Sequence, residues 1–290
     1  MAATNNRVRM IRESTINGVD SGGMVTVLIQ EGWDQIIRSG PSDIAGMVVD
    51  RECQFVRGAI ATQDWSKAYN SLVAASGNFV FSERISGAAA GSAWQAHTLA
   101  NTVIHRLDLA QQFGQYMTAT YAYECKFASD STTYSDVHSV AAGGAAGAAH
   151  TATRGGYRVE SATLGEVNFY HVTQFNLSIA LPLFKDCNDG DVGYTIVEAE
   201  TECGIAVTGS ITVQDEDFDP IGDADPADLV LTLRSSSGAA DKTITVKDVV
   251  FTGRDSNKQQ GYGTFAHAFE VSNPDGDLTL SGETKFLTIA

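Results

Sequence analysis

A run of acidic residues in the second half of the chain is the segment best suited to bind a metal ion. Its seven carboxylates lie close together in the sequence, and they are Asp215, Glu216, Asp217, Asp219, Asp223, Asp225 and Asp228. Calcium prefers several oxygen ligands from one loop. The helix-loop-helix calcium template does not fit, because Pro220 occupies the position of its required glycine and Pro226 that of its final glutamate. We therefore interpret the run as a solvated acidic face, with a specific metal site as the alternative.

No other group of residues has the spacing of a known catalytic or metal site. The six histidines form no HExxH motif or i, i+4 pair, and the sequence has no GxSxG elbow, P-loop or dinucleotide fingerprint. Carboxylates far apart in sequence can still form a glycosidase-type pair, because separation along the chain does not report distance in space. We expect no enzymatic activity, no cofactor and no bound metal.

The charge of the chain argues against one class of function. Its net charge of −16 comes from 19 basic and 35 acidic side chains, and residues 151–290 account for −13. Neutralising phosphates requires clustered Lys and Arg, so nucleic-acid binding by this mode is not expected. No apolar run reaches the roughly 18 residues that cross a bilayer, and the first residues lack the apolar core of a secretory signal. We expect folding in the cytoplasm, four reduced cysteines and no membrane contact.

The elements that must position these residues are strands. Residues 166–179 alternate apolar and polar side chains, and shorter runs of strand character lie at 193–197, 204–213, 229–233, 243–251 and 261–271. Alternation with period two is typical of strands that have one packed and one solvated face. One helix is predicted at 65–75, where Asp64 can cap the first turn. The sequence thus predicts a mainly β protein with at most one flanking helix per unit.

The two halves of the chain share three blocks of similar sequence in the same order. The blocks align ECQFVRGAIATQD at 52–64 with ECGIAVTGSITVQD at 202–215, FVFSER at 79–84 with LVLTLR at 229–234, and YAYE at 121–124 with HAFE at 267–270. The third block extends back without a gap, so that Val103 aligns with Val249. Offsets that stay between 146 and 151 predict a tandem duplication of one domain, with two unrelated β domains as the alternative.

The composition between the copies predicts a linker. Residues 128–156 are rich in Ser and Thr and then in Ala and Gly, and they show neither the apolar periodicity of a helix nor that of a strand. The predicted organisation is therefore a first β domain at 1–127, a linker or arm at 128–156, a second β domain at 157–271 and a C-terminal arm at 272–290.

Three runs in the second half carry a family resemblance. They are VTGSITVQDEDFDP at 207–220, LVLTL at 229–233 and TITVKDVVFTGRDSNKQQGYGTFAHAFEV at 243–271. Together they resemble the tail tube, or major tail, proteins of long-tailed bacteriophages, and the repeat extends the resemblance to the first half. It implies two tandem β-sandwich or barrel-like tail-tube domains, each with at most one flanking helix.

The resemblance also implies a function and partners. Six tube domains usually form a ring, and rings stack into the hollow tube through which DNA is ejected. A chain with two domains would close as a trimer with pseudo-sixfold symmetry, and a hexamer is also possible. The expected partners are other copies of the chain and other tail proteins, while genomic DNA passes without specific binding. The expected location is the tail of the virion.

Two early loops, 30–43 and 182–191, are the candidates for contacts between rings. Their candidate residues are Gln30, Trp33, Asp34, Arg38, Asp43, Lys185, Asp186, Asp189 and Asp191. The acidic residues of 151–290 are expected to contribute to a negative lumen that repels DNA. The alternating residues 278–289 are expected to add a strand to a neighbouring copy.

Two other functions are compatible with the same sequence. One is a different virion component, such as a capsid decoration, baseplate or tail-tip protein. The other is an adhesin or carbohydrate-binding module made of two β-sandwiches, which would be monomeric. Filament formation by the purified chain distinguishes the tube protein from both.

Overall fold

The computed structural model describes most of the chain as ordered strands and their connections. The described residues are 9–16, 18–20, 24–38, 47–62, 76–85, 94–127, 134–144, 156–181, 183–186, 193, 195–197, 205–216, 226–235, 241–259, 262–272 and 287–289. The predicted helix at 65–75 lies outside them.

Nearly all of the described residues belong to β-strands. The strands are β1 Arg9–Ile16, β2 Val19–Asp20, β3 Met24–Arg38, β4 Met47–Thr62, β5 Ser76–Ile85, β6 Trp94–Gln111, β7 Thr118–Cys125, β8 His138–Gly144, β9 Tyr157–Leu164, β10 Val167–Ala180, β11 Phe184–Asp186, β12 Thr195–Val197, β13 Ala206–Glu216, β14 Ala227–Ser235, β15 Lys242–Gln259, β16 Tyr262–Val271 and β17 Leu287–Ile289. Among these residues the one helical element is a 3-10 turn at Tyr134–Asp136. The mainly β prediction is confirmed. None of the described segments forms a helix with the length and apolarity needed to cross a membrane.

The strands form one 15-stranded antiparallel sheet and a separate β11–β12 pair. We refer to β1–β8 as the N-terminal set and to β9–β17 as the C-terminal set. Pairing runs β1-β5-β6-β7-β4-β3 in the N-terminal set and β9-β14-β15-β16-β13-β10 in the C-terminal set. Corresponding strands therefore occupy the same place in both orders.

Strand pairing also follows the same register in the two sets. Gly58 of β4 lies opposite Tyr123 of β7, and Gly209 of β13 lies opposite Phe269 of β16. These are the positions that the sequence repeat aligns.

Two irregularities recur at corresponding positions of β6 and β15. The register shifts after Ile104 in the β6–β7 pair and after Phe251 in the β15–β16 pair. Asn101 has φ 50° and Asp248 has φ 52°, a left-handed conformation that Asn and Asp tolerate better than most residues. The two sets thus share local distortions as well as strand order.

One detail of the sequence alignment is wrong. Val103 lies opposite Glu124, and Val250 lies opposite Glu270, so Val103 corresponds to Val250 and not to Val249. The cause is the turn that follows these strands, which differs in length between the sets. An ungapped alignment that is correct for β7 and β16 is therefore shifted by one position on β6 and β15.

A close approach of a neighbouring backbone carbonyl and an aromatic side chain requires glycine at 58 and 209. A Cβ atom at Gly58 would lie 1.8 Å from the carbonyl oxygen of Leu28, and one at Gly209 would lie 2.3 Å from Cζ of Phe269. In the N-terminal set the hydroxyl of Tyr123 crosses Gly58 and donates a hydrogen bond of 2.9 Å to the Leu28 carbonyl. The repeat therefore keeps a glycine where each set packs an aromatic side chain over β4 or β13.

Alternating burial places the core on one face of each strand. Leu229, Leu231 and Leu233 of β14 are buried, whereas the residues between them are partly exposed. In the C-terminal set Phe251 packs edge-on against Phe269, with ring centroids 6.1 Å apart. The period-two pattern in the sequence thus reports the packed face correctly.

The segment expected to be a linker contains part of the sheet. Residues 138–144 form β8, which pairs with β6 and places Val140 opposite His97. In the C-terminal set β17 pairs with the corresponding part of β15, with Ile289 opposite Ile244. The end of the expected C-terminal arm is therefore paired within its own chain. Low sequence complexity concealed β8, because small residues such as those at 141–144 carry little apolar periodicity.

The cysteines differ from the expectation of four reduced thiols. Cys53 is disulfide-bonded, and the other half of that disulfide lies outside the described residues. Cys125 is a free, buried thiol, and burial is the main cause that raises its pKa to about 12.

Candidate functional site

One strand joins the two sets into a single sheet. β10 pairs with β13 of its own set along one edge and, from Phe175 to Ala180, with β6 of the N-terminal set along the other edge. Leu177 lies opposite Leu109, and Ile179 lies opposite Leu107. These four side chains are at most 1% exposed. We call this β6–β10 pairing the internal junction, and its packed face is a closed apolar surface.

Polar contacts reinforce the internal junction. The backbone N–H of Leu181 donates to the carbonyl of His105 at 2.8 Å, which continues the strand pairing. Nζ of Lys185 lies 2.6 Å from Oε1 of Glu124, a carboxylate of the N-terminal set. Burial lowers the pKa of His105, and Glu124 acts in the opposite direction as a smaller effect. His105 is therefore neutral near pH 7, beside an ion pair that links the two sets.

The edges that correspond to the two sides of the internal junction, on β3 and on the second part of β15, have no partner strand among the described residues. β3 corresponds to β10, and in the described part of the chain it pairs with β4 alone. β15 corresponds to β6, and beyond residue 249 its described strand partner is β16 on one side. We call residues 27–32 the β3 edge and residues 253–258 the β15 edge. A strand edge that has no neighbouring strand is a template for pairing with another chain.

Burial at the β3 edge is incomplete in the way that a missing strand predicts. Val27 and Ile29 are partly buried against the core. Their counterparts at the internal junction, Phe175 and Leu177, are 2% and 1% exposed. On the β15 edge Ser256 is exposed, whereas its counterpart Leu109 is fully buried. The face that is buried at the internal junction is thus partly exposed at the β3 edge and the β15 edge.

A chain of hydrogen-bonding side chains holds Glu31 in place on the β3 edge. Its carboxylate contacts Nδ1 of His138, whose Nε2 lies 3.2 Å from Nδ1 of His97. Nε2 of His97 lies 3.3 Å from Glu83, and the His97 ring stacks on Phe81 with centroids 4.6 Å apart. In the portion of the chain that the structure describes, no group of three or more His, Cys, Asp or Glu side chains is placed to hold a metal ion. This cluster orients a surface carboxylate.

Residues 30–38 of the first candidate contact segment form a strand where a loop was expected. Gln30, Trp33, Asp34 and Arg38 belong to β3, which forms a long hairpin with β4, and Asp43 lies outside the described residues. The expectation of a loop was wrong because charged and amide residues on a two-stranded arm break the alternation that marks a strand. Gln30 lies on the β3 edge itself.

The second candidate segment, 182–191, has the same place in the second half of the sequence that the first segment, 30–43, has in the first half. Lys185 and Asp186 belong to β11, which pairs with β12, while Asp189 and Asp191 lie outside the described residues. Lys185 contacts Glu124, so it serves the internal junction of the chain. Contacts between rings through this segment stay a prediction.

The acidic run is mostly outside the described residues. Asp215 and Glu216 end β13, and Asp228 is an exposed residue of β14. Asp217, Asp219, Asp223 and Asp225 fall between these strands, in the part that is not described. The solvated acidic face therefore stays a prediction.

No protein-family model matches this sequence, and no curated protein matches it. Its function has to be inferred from the residues of this chain.

Apart from Gln30, sequence reasoning missed the residues of the internal junction, the β3 edge and the β15 edge. Leu107 and Leu109 alternate with polar residues, so they are indistinguishable from core residues of any strand. A usable signal lies in VLIQEG at 27–32, which aligns with FNLSIA at 175–180 at an offset of 148. That block marks β3 and β10 as counterparts.

Proposed function

We propose that this chain is a self-assembling structural protein of a virion, and specifically a tail tube protein of a long-tailed bacteriophage. In this proposal the N-terminal and C-terminal sets are tandem copies of one tube domain, and the chain is not an enzyme. Copies of the chain form rings, and the rings stack into the tube through which DNA is ejected.

One observation carries the proposal. The internal junction pairs β6 with β10, and the corresponding edges, the β15 edge and the β3 edge, have no partner strand among the described residues. A contact between two different surfaces of identical subunits repeats head to tail, and it closes into a ring when the rotation permits. Two units per chain favour three chains per ring with pseudo-sixfold symmetry, and six chains is the alternative.

The charge of the chain supports passage of DNA without binding. Residues 151–290 carry a net charge of −13, and acidic side chains on the wall of a tube would repel the phosphate backbone. The proposal therefore includes a negative lumen and no specific contact with genomic DNA.

Electron microscopy of the purified protein tests the proposal. Negative-stain images at increasing concentration should contain hollow rings of uniform diameter and stacked tubes, and light scattering should give a ring mass that is three times the 30.8 kDa chain. A mass of six chains would support the tube but change the symmetry. A monomer at the highest attainable concentration, without rings, would contradict the proposal.

A further inference from the structure

We propose that the β15 edge of one copy pairs with the β3 edge of the next copy in the register of the internal junction. The partner is a second copy of this chain, and in naming it the inference rests on the proposed function. The proposal is based on the observation that the two edges correspond to the edges of β6 and β10 that already pair with each other within the chain.

The counterpart positions define the register of this contact. Leu107 of β6 corresponds to Arg254 of β15, because they lie opposite Tyr121 and His267, which the repeat aligns. Ile179 of β10 likewise corresponds to Glu31 of β3, because the residues opposite them on β13 and β4 are aligned by the repeat. Both offsets stay constant along the edges. Transferring the register of the internal junction to the β15 edge and the β3 edge therefore places Arg254 opposite Glu31 and Asn257 opposite Leu28.

The register brings together two residues of opposite charge, Arg254 and Glu31, which we call the central pair. In the internal junction this position holds Leu107 opposite Ile179. In the contact between copies the same position holds Arg254 opposite Glu31. Opposite charges that face each other across two strands stabilise the pairing, and like charges weaken it. An apolar pair within the chain thus corresponds to an ion pair between chains.

Both charged side chains are already oriented by their own neighbours. The guanidinium of Arg254 lies over the ring of Phe265, 4.7 Å from its centroid. Glu31 contacts His138, which in turn contacts His97. Orienting them costs less on association than ordering free side chains would.

The contact has a polarity that prevents closure of a symmetric dimer through it. Each copy offers one β3 edge and one β15 edge, so the contact is head to tail. Because it reproduces the internal junction, successive units are related by the same geometry within and between chains. A ring built this way alternates internal and external junctions.

Charge reversal at the central pair is the first test. Glu31→Arg and Arg254→Glu each place like charges opposite one another, and each should weaken association on the order of tenfold as measured by sedimentation velocity. The double variant restores opposite charges and should recover most of the lost association. A matched control is Arg234→Glu, which changes an exposed arginine that contacts Glu160 away from both edges.

Disulfide trapping is the second test, and it does not depend on the strength of the ion pair. Leu28→Cys and Asn257→Cys in one chain should give an oxidised ladder of covalent dimers, trimers and closed rings on non-reducing gels. Leu28→Cys with Ser272→Cys, which lies off the β15 edge, should give none.

The outcomes separate this inference from the proposed function. A wild-type chain that stays monomeric overturns both. Rings or tubes that persist in each single charge reversal, together with no ladder from the Leu28–Asn257 pair, overturn the register alone. Recovery in the double reversal and a ladder confined to the on-register pair support it.

Discussion

Glu124 of β7 and Lys185 of β11 form an ion pair that connects the two strand sets, with Nζ 2.6 Å from Oε1. The two side chains differ in exposure, since that of Glu124 is 4% exposed and that of Lys185 is 30% exposed. A carboxylate buried to this degree depends on its partner, because an uncompensated charge in the interior is costly.

Removing Lys185 should therefore destabilise the protein. We expect Lys185→Met to lower the free energy of unfolding by about 3 kcal/mol, because it leaves Glu124 buried without its cation. Adding Glu124→Gln should recover a large part of the loss. The exposed pair Arg234–Glu160 is the control, and Arg234→Met should cost less than about 1 kcal/mol. Urea unfolding followed by circular dichroism measures all of these variants, and equal effects of Lys185→Met and Arg234→Met would contradict the expectation.

The two glycines under the aromatic rings should be the least tolerant of a methyl group. Gly58→Ala and Gly209→Ala each introduce a Cβ that would overlap backbone or ring atoms, so each should cost about 1–3 kcal/mol. Gly263→Ala is the matched control, since its nearest neighbour would be a carbonyl oxygen 3.9 Å away. Thermal unfolding of the three variants measures these differences in stability. A Gly58→Ala protein as stable as the control would mean that the Leu28 carbonyl and the Tyr123 hydroxyl do not approach Gly58 this closely.

Stability should decrease on acidification in a manner that depends on His105. Burial lowers the pKa of folded His105 from its ordinary 6.5, whereas the unfolded chain takes up a proton near pH 6.5. The contribution of neutral His105 is therefore present above pH 6.5 and is lost as the pH falls through that value toward the lower folded pKa. We expect the loss of unfolding free energy between pH 7.5 and 5.5 to be smaller in His105→Asn than in the wild type.

The control for this experiment is His171→Asn. His171 is an exposed residue with φ 54°, a conformation that Asn accepts. This variant changes an exposed histidine outside the internal junction. If His105→Asn keeps the pH dependence of the wild type, His105 is not the group that couples folding to pH.

Peptide mapping without reduction should distinguish the cysteines. The peptide that contains Cys53 should be linked to a peptide that contains Cys187 or Cys203, because Cys53 is disulfide-bonded and Cys125 is free. Cys125 should resist a maleimide at pH 8 in the folded protein, since its pKa is raised to about 12, and it should react after unfolding. Alkylation of Cys53 without prior reduction would show that its disulfide is absent.

Local patterns in the sequence were sufficient for the strand content and for some of the positions that correspond between the two strand sets. Gly58 and Gly209, and Tyr121 and His267, align in the sequence and occupy corresponding places in the structure. The alignment succeeded there because β4, β7 and their counterparts retain both spacing and residue type. It shifted at Val103, where a turn of different length follows.

The sequence did not predict which distant strands pair, nor the strands that lack a clear alternation of apolar and polar residues. β8 consists of small and polar residues, and its pairing with β6 depends on a partner that is distant in the chain. The internal junction joins Leu109 to Leu177, which belong to different halves of the chain. Nothing local distinguishes such residues from the rest of the core, because the choice of neighbouring strand is decided by the assembled sheet.

The position of β10 in the chain, after β6 and before β15, determines which strand edges a nascent chain exposes. Translation produces β3 and β6 first, then β10, and β15 only afterwards. β6 is therefore available when β10 leaves the ribosome, and the internal junction can form before β15 exists. Once β10 has paired with β6, a nascent chain presents the β3 edge without the β15 edge. In the proposed assembly, association between nascent chains through these two edges therefore waits until β15 has been made.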